Sequence, residues 1–188
     1  MIAEEIDTTS KIRRNSWAFM PIFTINIPGN WKTLHVTKEP VFSYGGGLGL
    51  NYRIFLKFDI FIDANLSFCY DSIDMSSFTI SDSDFFLHRW SVPLSVNLGY
   101  PFKLTEDKDI VPLVGQEFSY GFCHKYYRPK EINGYNHFNF SWGLGCGLRF
   151  YDKYEIDIMG YFGLFNFIKQ ANMNTYDNKI RMSLKYFF

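Results

Sequence analysis

The sequence lacks a net charge and lacks a long apolar run. Lys and Arg together number 19, and Asp and Glu together also number 19. A chain without excess positive charge has no long-range field to attract nucleic acid or an anionic surface, so no nucleic-acid partner is expected. No uninterrupted apolar stretch approaches the ~20 residues that a membrane-spanning helix needs. If the chain crosses a membrane, it therefore does so as a closed β-barrel.

The sequence also lacks the residue patterns of a disulfide, metal or cofactor site. Its three cysteines, Cys69, Cys123 and Cys146, are odd in number and unrelated in spacing, which fits neither a disulfide framework nor a metal motif. We interpret them as small apolar side chains with free thiols. The glycines of residues 45–49 match neither G-x-G-x-x-G nor a P-loop. No catalytic, metal-binding or cofactor-binding residues are predicted.

Aromatic residues are abundant and finely interleaved with polar ones. They make up 20% of the chain, with 21 Phe and 13 Tyr, which is more than a soluble core of this length needs. The mean hydropathy is nevertheless an ordinary −0.13. A length of 188 residues without a linker fits one domain. Residues 1–14 are polar and aperiodic, so we interpret them as a tail that precedes a barrel domain of residues 15–188.

The last ten residues show the pattern of a strand with two unlike faces. Ile180, Met182, Leu184, Tyr186 and Phe188 share one face, and Lys179, Arg181, Ser183 and Lys185 lie on the other. Strict alternation with a period of two residues is typical of a strand between an apolar and a polar environment. The last residues of the sequence, Tyr-Phe-Phe, are strongly apolar, whereas the end of a soluble chain usually frays into water.

Alternation predicts eight strands in all. The predicted strands cover residues 17–26, 41–52, 58–70, 89–100, 112–122, 138–150, 154–164 and 179–188. Long and short connections alternate between them, which is typical of an all-β, up-and-down antiparallel barrel that spans a membrane. Pro21 lies inside the first strand and removes a ladder donor, so a bulge or a local bend is expected there.

Size decides which face of the barrel looks outward. An eight-stranded barrel has room inside for only small side chains or one small ligand, whereas the apolar face carries dozens of large residues. The apolar face therefore points to lipid, and the lumen is predicted to be polar and filled, without an open pore. By parity, five carboxylates and five cations share the lumen: Asp59, Asp63, Glu117, Glu155 and Asp157, with Arg89, Arg149, Lys179, Arg181 and Lys185. Near-equality is what a satisfied internal network requires.

Aromatic residues collect at both ends of the apolar face. One belt lies at the short-turn end, and the other at the long-loop end. Two such belts match the interfacial girdles of outer-membrane barrels, in which the short turns are periplasmic. The long loops are then expected outside the cell and the N-terminal tail in the periplasm.

The chain from about residue 15 onward resembles the OmpA/OmpX-type eight-stranded barrels of Gram-negative bacteria. It is more closely similar to the PorT-like "outer membrane protein β-barrel" family. The residues that carry the resemblance are the glycine-rich strand at 45–52, the strand at 91–100, the Gly143-x-Gly145-x-Gly147 strand and the terminal Phe188. The resemblance implies a location in the bacterial outer membrane. It also implies that Leu184, Tyr186 and Phe188 form a signal that the barrel-insertion machinery reads.

Residues 1–7 carry no basic region followed by an apolar core. Because an outer-membrane protein must be exported, we interpret this chain as a mature or recombinant form.

The expected role is structural, binding or accessory, through the extracellular loops or the lipid-facing wall. Outer-membrane lipid and lipopolysaccharide are expected partners, and another outer-membrane subunit is a further one. One alternative is an enzyme that removes or transfers acyl chains of lipid A through a Ser-His pair with an orienting carboxylate. The candidate histidines are His88, which points toward lipid by parity, and His124 and His137, which flank a loop close to Ser119 and Ser141. A third reading is a soluble lipocalin-like carrier with the two faces inverted.

Overall fold

A computed structural model describes residues 15–27, 43–74, 86–127, 136–170 and 173–188. The predicted tail of residues 1–14 lies outside the described residues, as do most of the long loops. The strands are β1 Ser16–Asn26, β2 Ser43–Phe55, β3 Phe61–Asp74, β4 Phe86–Gly99, β5 Phe102–Thr105, β6 Lys108–Tyr127, β7 Phe138–Phe150, β8 Tyr154–Gly163, β9 Asn166–Gln170, β10 Met173–Tyr176 and β11 Lys179–Phe187. A short 3-10 turn covers Lys57–Asp59. No helix of the described residues has the length and hydropathy of a membrane span.

Eight of these strands close into a ring. Hydrogen-bonded neighbours follow the order β4, β3, β2, β1, β11, β8, β7, β6, and β4 also pairs with β6. Every pairing in the ring is antiparallel. The predicted eight-stranded antiparallel barrel is therefore confirmed. Three strands lie outside the ring: β5 forms a short hairpin with β6, and β9 pairs with β10.

Pro21 does not produce the expected bulge. The pairing of β1 with β2 runs in one register through Pro21, which lies opposite Leu48. On the other side, the ladder with β11 skips Met20 and Pro21 and then resumes in the same register. The missing N–H of Pro21 therefore interrupts the ladder between β1 and β11 locally, but no extra residue is inserted. A register shift occurs instead between Trp90 and Ser91, where β4 pairs with β6.

The apolar face looks outward. Leu94, Ile158 and Leu184 are 49%, 45% and 45% exposed, whereas Asp63 and Arg181 are 0% and 6% exposed. The lipocalin-like reading required the opposite arrangement, with aliphatic residues around an internal cavity and these charges in water. The lipocalin-like interpretation is therefore wrong, and the orientation of these residues fits a wall that faces hydrocarbon.

Aromatic pairs mark both ends of the wall. At the short-turn end, ring centroids lie 4.6 Å apart for Trp17 and Tyr52 and 5.4 Å apart for Tyr154 and Tyr186. At the long-loop end, Tyr70 and Trp90 lie 4.9 Å apart, as do Tyr120 and Phe138. The pairs at each end sit on four strands that are adjacent in the ring, so each belt extends over about half of the barrel. Such belts are typical of residues at the membrane–water interface.

Candidate functional site: the charged lumen and the lipid-facing wall

The lumen holds most of the charges that alternation assigned to it. Nine of the ten predicted residues are buried inside the barrel: Asp63, Arg89, Glu117, Arg149, Glu155, Asp157, Lys179, Arg181 and Lys185. Together with four further buried charges, they form two groups that are separated along the barrel axis. We call the group near the short turns the turn-side cluster; it contains Arg53, Asp63, Asp109, Arg149, Glu155, Asp157 and Lys185. The group near the long loops is the loop-side cluster; it contains Asp71, Arg89, Glu117, Asp177, Lys179 and Arg181.

The inclusion of Asp59 in the lumen was wrong. Asp59 is exposed and belongs to the 3-10 turn, since β3 begins at Phe61 rather than at residue 58. Phe58 and Asp59 have φ values of 61° and 60°, a left-handed pair that suits a tight turn between antiparallel strands. The position that Asp59 was expected to fill is taken by Phe61, which is completely buried.

Four buried charges were missed because the sequence analysis placed them in turns or loops. Arg53 lies inside β2 and Asp71 inside β3, while Asp109 lies near the start of β6 and Asp177 just before β11. For Arg53 a signal was available, because the inward row Gly49, Asn51 continues to Arg53 without a break in parity. Arg53, Asp71 and Asp109 lie inward because their strands extend beyond the regular apolar pattern, whereas Asp177 lies in the connection between β10 and β11.

Arg53 and Lys185 organise the turn-side cluster. Arg53 Nε lies 2.6 Å from Asp63 Oδ1, and Arg53 Nη2 lies 2.5 Å from Glu155 Oε1. Lys185 Nζ lies 2.6 Å from both Asp63 Oδ2 and Asp157 Oδ2, and 3.3 Å from Glu155 Oε1. The Arg53 guanidinium also stacks 3.7 Å above the centre of the Phe61 ring. Each cation therefore joins carboxylates from different strands.

The turn-side cluster contains a group of acids that could in principle hold a metal ion. One oxygen from each of Asp63, Glu155 and Asp157 lies within 4.8 Å of the others. Lys185 Nζ contacts all three carboxylates. Its ammonium supplies the positive charge that this arrangement needs, so we interpret the three acids as ion-pair partners of Lys185.

The loop-side cluster is a chain of ion pairs, in which Lys179 Nζ also lies 3.6 Å from Asp177 Oδ2. Arg89 Nη1 lies 2.9 Å from Asp177 Oδ2, and Arg89 Nη2 lies 3.0 Å from Asp71 Oδ2. Lys179 Nζ lies 2.8 Å from Glu117 Oε1, and Arg181 also bonds to Glu117. Amides complete the set, because Asn26 donates to Asp71 at 3.2 Å and Asn139 donates to Asp177 at 3.1 Å.

Two glycines explain the glycine-rich strands. A Cβ atom built on Gly45 would collide with the Asp71 carboxylate, and one built on Gly147 would collide with the Asp157 carboxylate. The run at 45–49 is thus part of β2 and leaves room for lumen charges. This matches the conclusion that it is not a phosphate-binding loop.

The lumen is less uniformly polar than predicted. Phe61, Val111, Leu113, Met159 and Tyr161 form one buried apolar cluster. A second such cluster contains Met20, Ile22 and Cys69. These residues fill space between charged layers, as close packing of a narrow interior requires.

The histidines of the lipid A hypothesis lie near the long-loop end. His88 Nδ1 is 2.7 Å from the Tyr70 hydroxyl, and the two rings stack 6.0 Å apart. His137 Nδ1 is 2.6 Å from the carbonyl oxygen of Gly121. The side chain of His124 lies outside the described residues. Ser119 and Ser141 are both buried in the lumen, whereas His88 lies on the outer face of β4 and His137 is exposed just before β7.

The outer wall contains one residue that sequence reasoning passed over. The predicted apolar row of the fifth strand ran from Val114 to Phe118 without its middle member, Gln116. The structure places Gln116 on the outer face of β6, opposite Val96 of β4 and Trp142 of β7. The predicted insertion signal is also on this face: Leu184, Tyr186 and Phe188 are all exposed. Its recognition by the insertion machinery stays a prediction.

The comparisons with known proteins identify the fold. No family model matches the chain, and no curated protein matches it. Among solved structures, Neisserial surface protein A has a TM-score of 0.52 and 10% identity, covering 94% of this chain and 100% of that chain. The outer membrane enzyme PagL has a TM-score of 0.46 and 13% identity, covering 93% and 99%. Ail, the attachment invasion locus protein of Yersinia pestis, has a TM-score of 0.44 and 14% identity, covering 94% and 100%. With the closed eight-stranded ring and the likeness to Neisserial surface protein A, the chain has the fold of the small outer-membrane β-barrels.

Proposed function

We propose that this protein is a non-catalytic barrel of the bacterial outer membrane with a structural, binding or accessory role. It acts through its extracellular loops or its lipid-facing wall, and it has no open pore. One observation carries the proposal: an apolar wall surrounds a lumen whose charges are paired with one another. An interior committed to internal ion pairs leaves the outer surface and the loops to meet other molecules.

The paired lumen supports a closed barrel. Side chains from β2, β3, β8 and β11 meet across the axis in the turn-side cluster, and Phe61 lies against Arg53 in the same layer. An eight-stranded barrel has little interior volume beyond its side chains. In planar bilayers we expect no steady ohmic conductance, with a porin in the same bilayer as the positive control. Steady conductance that scales with salt concentration would contradict the proposal.

The exposed C-terminal residues support export and insertion as a barrel. Phe188 is 72% exposed at the end of the outer face. We expect Phe188→Ala to lower the amount of folded barrel in outer-membrane fractions several-fold, measured as the heat-modifiable band in gels of whole cells. Phe138→Ala, which removes another exposed aromatic residue, is the matched control and should assemble normally. Equal assembly of both variants would show that Phe188 is not read as a signal.

The partner is to be sought at the loops. Residues 75–85 connect β3 to β4, and residues 128–135 connect β6 to β7. Photo-crosslinking amino acids placed in these segments are expected to capture lipopolysaccharide or a second outer-membrane protein. The same amino acid at Lys153, in the short turn before β8, is the control for the opposite side of the membrane. Adducts from Lys153 alone would contradict a role of the loops.

The positions of the candidate serines support the absence of catalysis. Ser119 and Ser141 are buried in the lumen, whereas His88 lies on the outer face of β4. Incubation of the purified barrel with lipopolysaccharide is expected to release no fatty acid. Release that disappears in His88→Ala or His137→Ala would favour the lipid A acyl hydrolase or transferase instead.

A further inference from the structure

Gln116 is an isolated amide in the lipid-facing wall. Its neighbours along the outward row of β6 are Val114 and Phe118, and its neighbours across the ladder are Val96 and Trp142. The side chain is exposed. Among the outward-facing residues that the structure describes between the two aromatic belts, Gln116 alone carries an amide or a charge.

Gln116 lies about midway between the belts. The Tyr100 backbone N donates to the carbonyl oxygen of Pro112, so the short-turn belt meets β6 four residues before Gln116. Tyr120 of the other belt lies four residues after it. Four residues of a strand span about 13 Å, and even in a tilted strand this distance exceeds the reach of a glutamine side chain. The amide therefore cannot reach the headgroups.

An amide at this depth needs a polar partner. Hydrocarbon offers no hydrogen bond, and an unpaired amide transferred from water to hydrocarbon is strongly disfavoured. Within the described part of the chain, the Gln116 side chain has no hydrogen-bond partner. Neither water nor lipid headgroups are available at the middle of the bilayer, so the partner has to come from a second protein surface.

The surroundings of Gln116 form a shallow groove. It has a volume of about 460 Å³, and its lining includes Ile62, Leu98, Val114 and Trp142 beside the amide. A large aromatic residue next to a concave apolar surface is typical of a packed contact between proteins. The groove thus offers apolar packing around one central hydrogen-bonding group.

A second copy of the chain fits this surface best. A carboxamide is both donor and acceptor, so two Gln116 side chains related by a two-fold axis can each donate to the other. Any other partner would need its own polar group at the same depth. We propose that two copies of this barrel associate in the membrane through the β4, β6 and β7 wall, with the Gln116 pair at the centre of the contact. This inference rests on the proposed function in one respect, namely that the outer wall of the barrel lies in lipid.

Sedimentation equilibrium in density-matched detergent micelles tests the proposal. The wild-type chain is expected to dimerise, and Gln116→Leu is expected to weaken the dimer about tenfold, since one or two membrane hydrogen bonds are lost. Phe23→Leu, on β1 four strands away in the ring, is the matched control and should leave the dimer unchanged. A wild-type chain that stays monomeric, or a Gln116→Leu variant that dimerises as tightly, would overturn the proposal.

Disulfide trapping in phospholipid vesicles gives a second readout. In a chain whose Cys69, Cys123 and Cys146 are replaced by serine, Val114→Cys is expected to form a covalent dimer, and Phe23→Cys is not. Equal trapping at both positions would overturn the proposed face, as would capture of a different protein by Val114→Cys in native membranes. Heat-modifiable migration and outer-membrane fractionation of the same samples report separately on the barrel. If both measurements show a folded outer-membrane barrel but no dimer forms, the dimer is excluded and the proposed function is not.

Discussion

The turn-side and loop-side clusters contain similar side chains but are connected differently. In the turn-side cluster, Arg53 and Lys185 each contact two or more carboxylates. In the loop-side cluster, Arg89 joins Asp71 and Asp177, and Glu117 joins Lys179 and Arg181. Lys185 contacts three carboxylates at once, whereas Arg89 and Lys179 contact two each. We therefore expect the turn side to be the more strongly fixed end of the barrel.

The two clusters also differ in charge balance. The turn side has four carboxylates, Asp63, Asp109, Glu155 and Asp157, for three cations, Arg53, Arg149 and Lys185. The loop side has three of each. Loss of a carboxylate should consequently be tolerated on the turn side and costly on the loop side, because an unpaired buried charge is what destabilises.

Replacement of Arg53 is expected to have the largest effect. Arg53→Leu removes the bidentate partner of Asp63 and Glu155. The four carboxylates of the turn-side cluster are then left with two cations, which should lower the free energy of unfolding by about 3–5 kcal/mol. Urea unfolding in lipid vesicles measures the loss. Arg53→Lys keeps the charge but not the planar fork, so it should lose less. A variant as stable as the wild type would show that the cluster does not stabilise the barrel.

Replacement of Arg89 is expected to have an intermediate effect. In Arg89→Leu, Asp177 still has Lys179 at 3.6 Å and Asp71 still has Asn26 at 3.2 Å. The loss should be about 2 kcal/mol, near the value of hydrogen bonds to charged groups. The same urea titration measures it beside Arg53→Leu. A loss larger than that of Arg53→Leu would reverse the ranking of the two ends.

Removal of single carboxylates should have the smallest effect and should differ between the ends. Asp157→Asn removes the surplus negative charge of the turn side and should change stability by less than about 1 kcal/mol. Glu117→Gln is the matched control on the loop side, and it should cost more, because Lys179 and Arg181 then share no carboxylate. Equal costs would mean that charge balance does not distinguish the clusters.

Much of the fold followed from parity. Alternation in residues 179–188 and its seven counterparts predicted the number of strands and their inward and outward faces, because a strand has a period of two residues. Strand ends were predicted less well. Asp59 was placed inside although a left-handed turn at Phe58 exposes it, and Arg53 was placed in a turn although β2 continues through it.

The contacts within the lumen could not be predicted. Parity says that Lys185 points inward, but only the register of β11 against β8 and the stagger of the ring bring it to Asp63 and Asp157. Gln116 was missed for a different reason: the apolar row of the fifth strand was assigned from its majority, and the single amide within it was passed over. The position of that amide, facing lipid beside Trp142, is visible only once the strands are paired.

The orientation of the wall can be tested most directly at Cys146. This thiol is free and exposed on the outer face of β7, between Leu144 and Leu148. A nitroxide label is attached there in a chain whose Cys69 and Cys123 are serine, and the labelled barrel is placed in phospholipid vesicles. Collisions with oxygen, which concentrates in hydrocarbon, should exceed those with a water-soluble nickel complex. Greater relaxation by the nickel complex would contradict a wall that faces lipid.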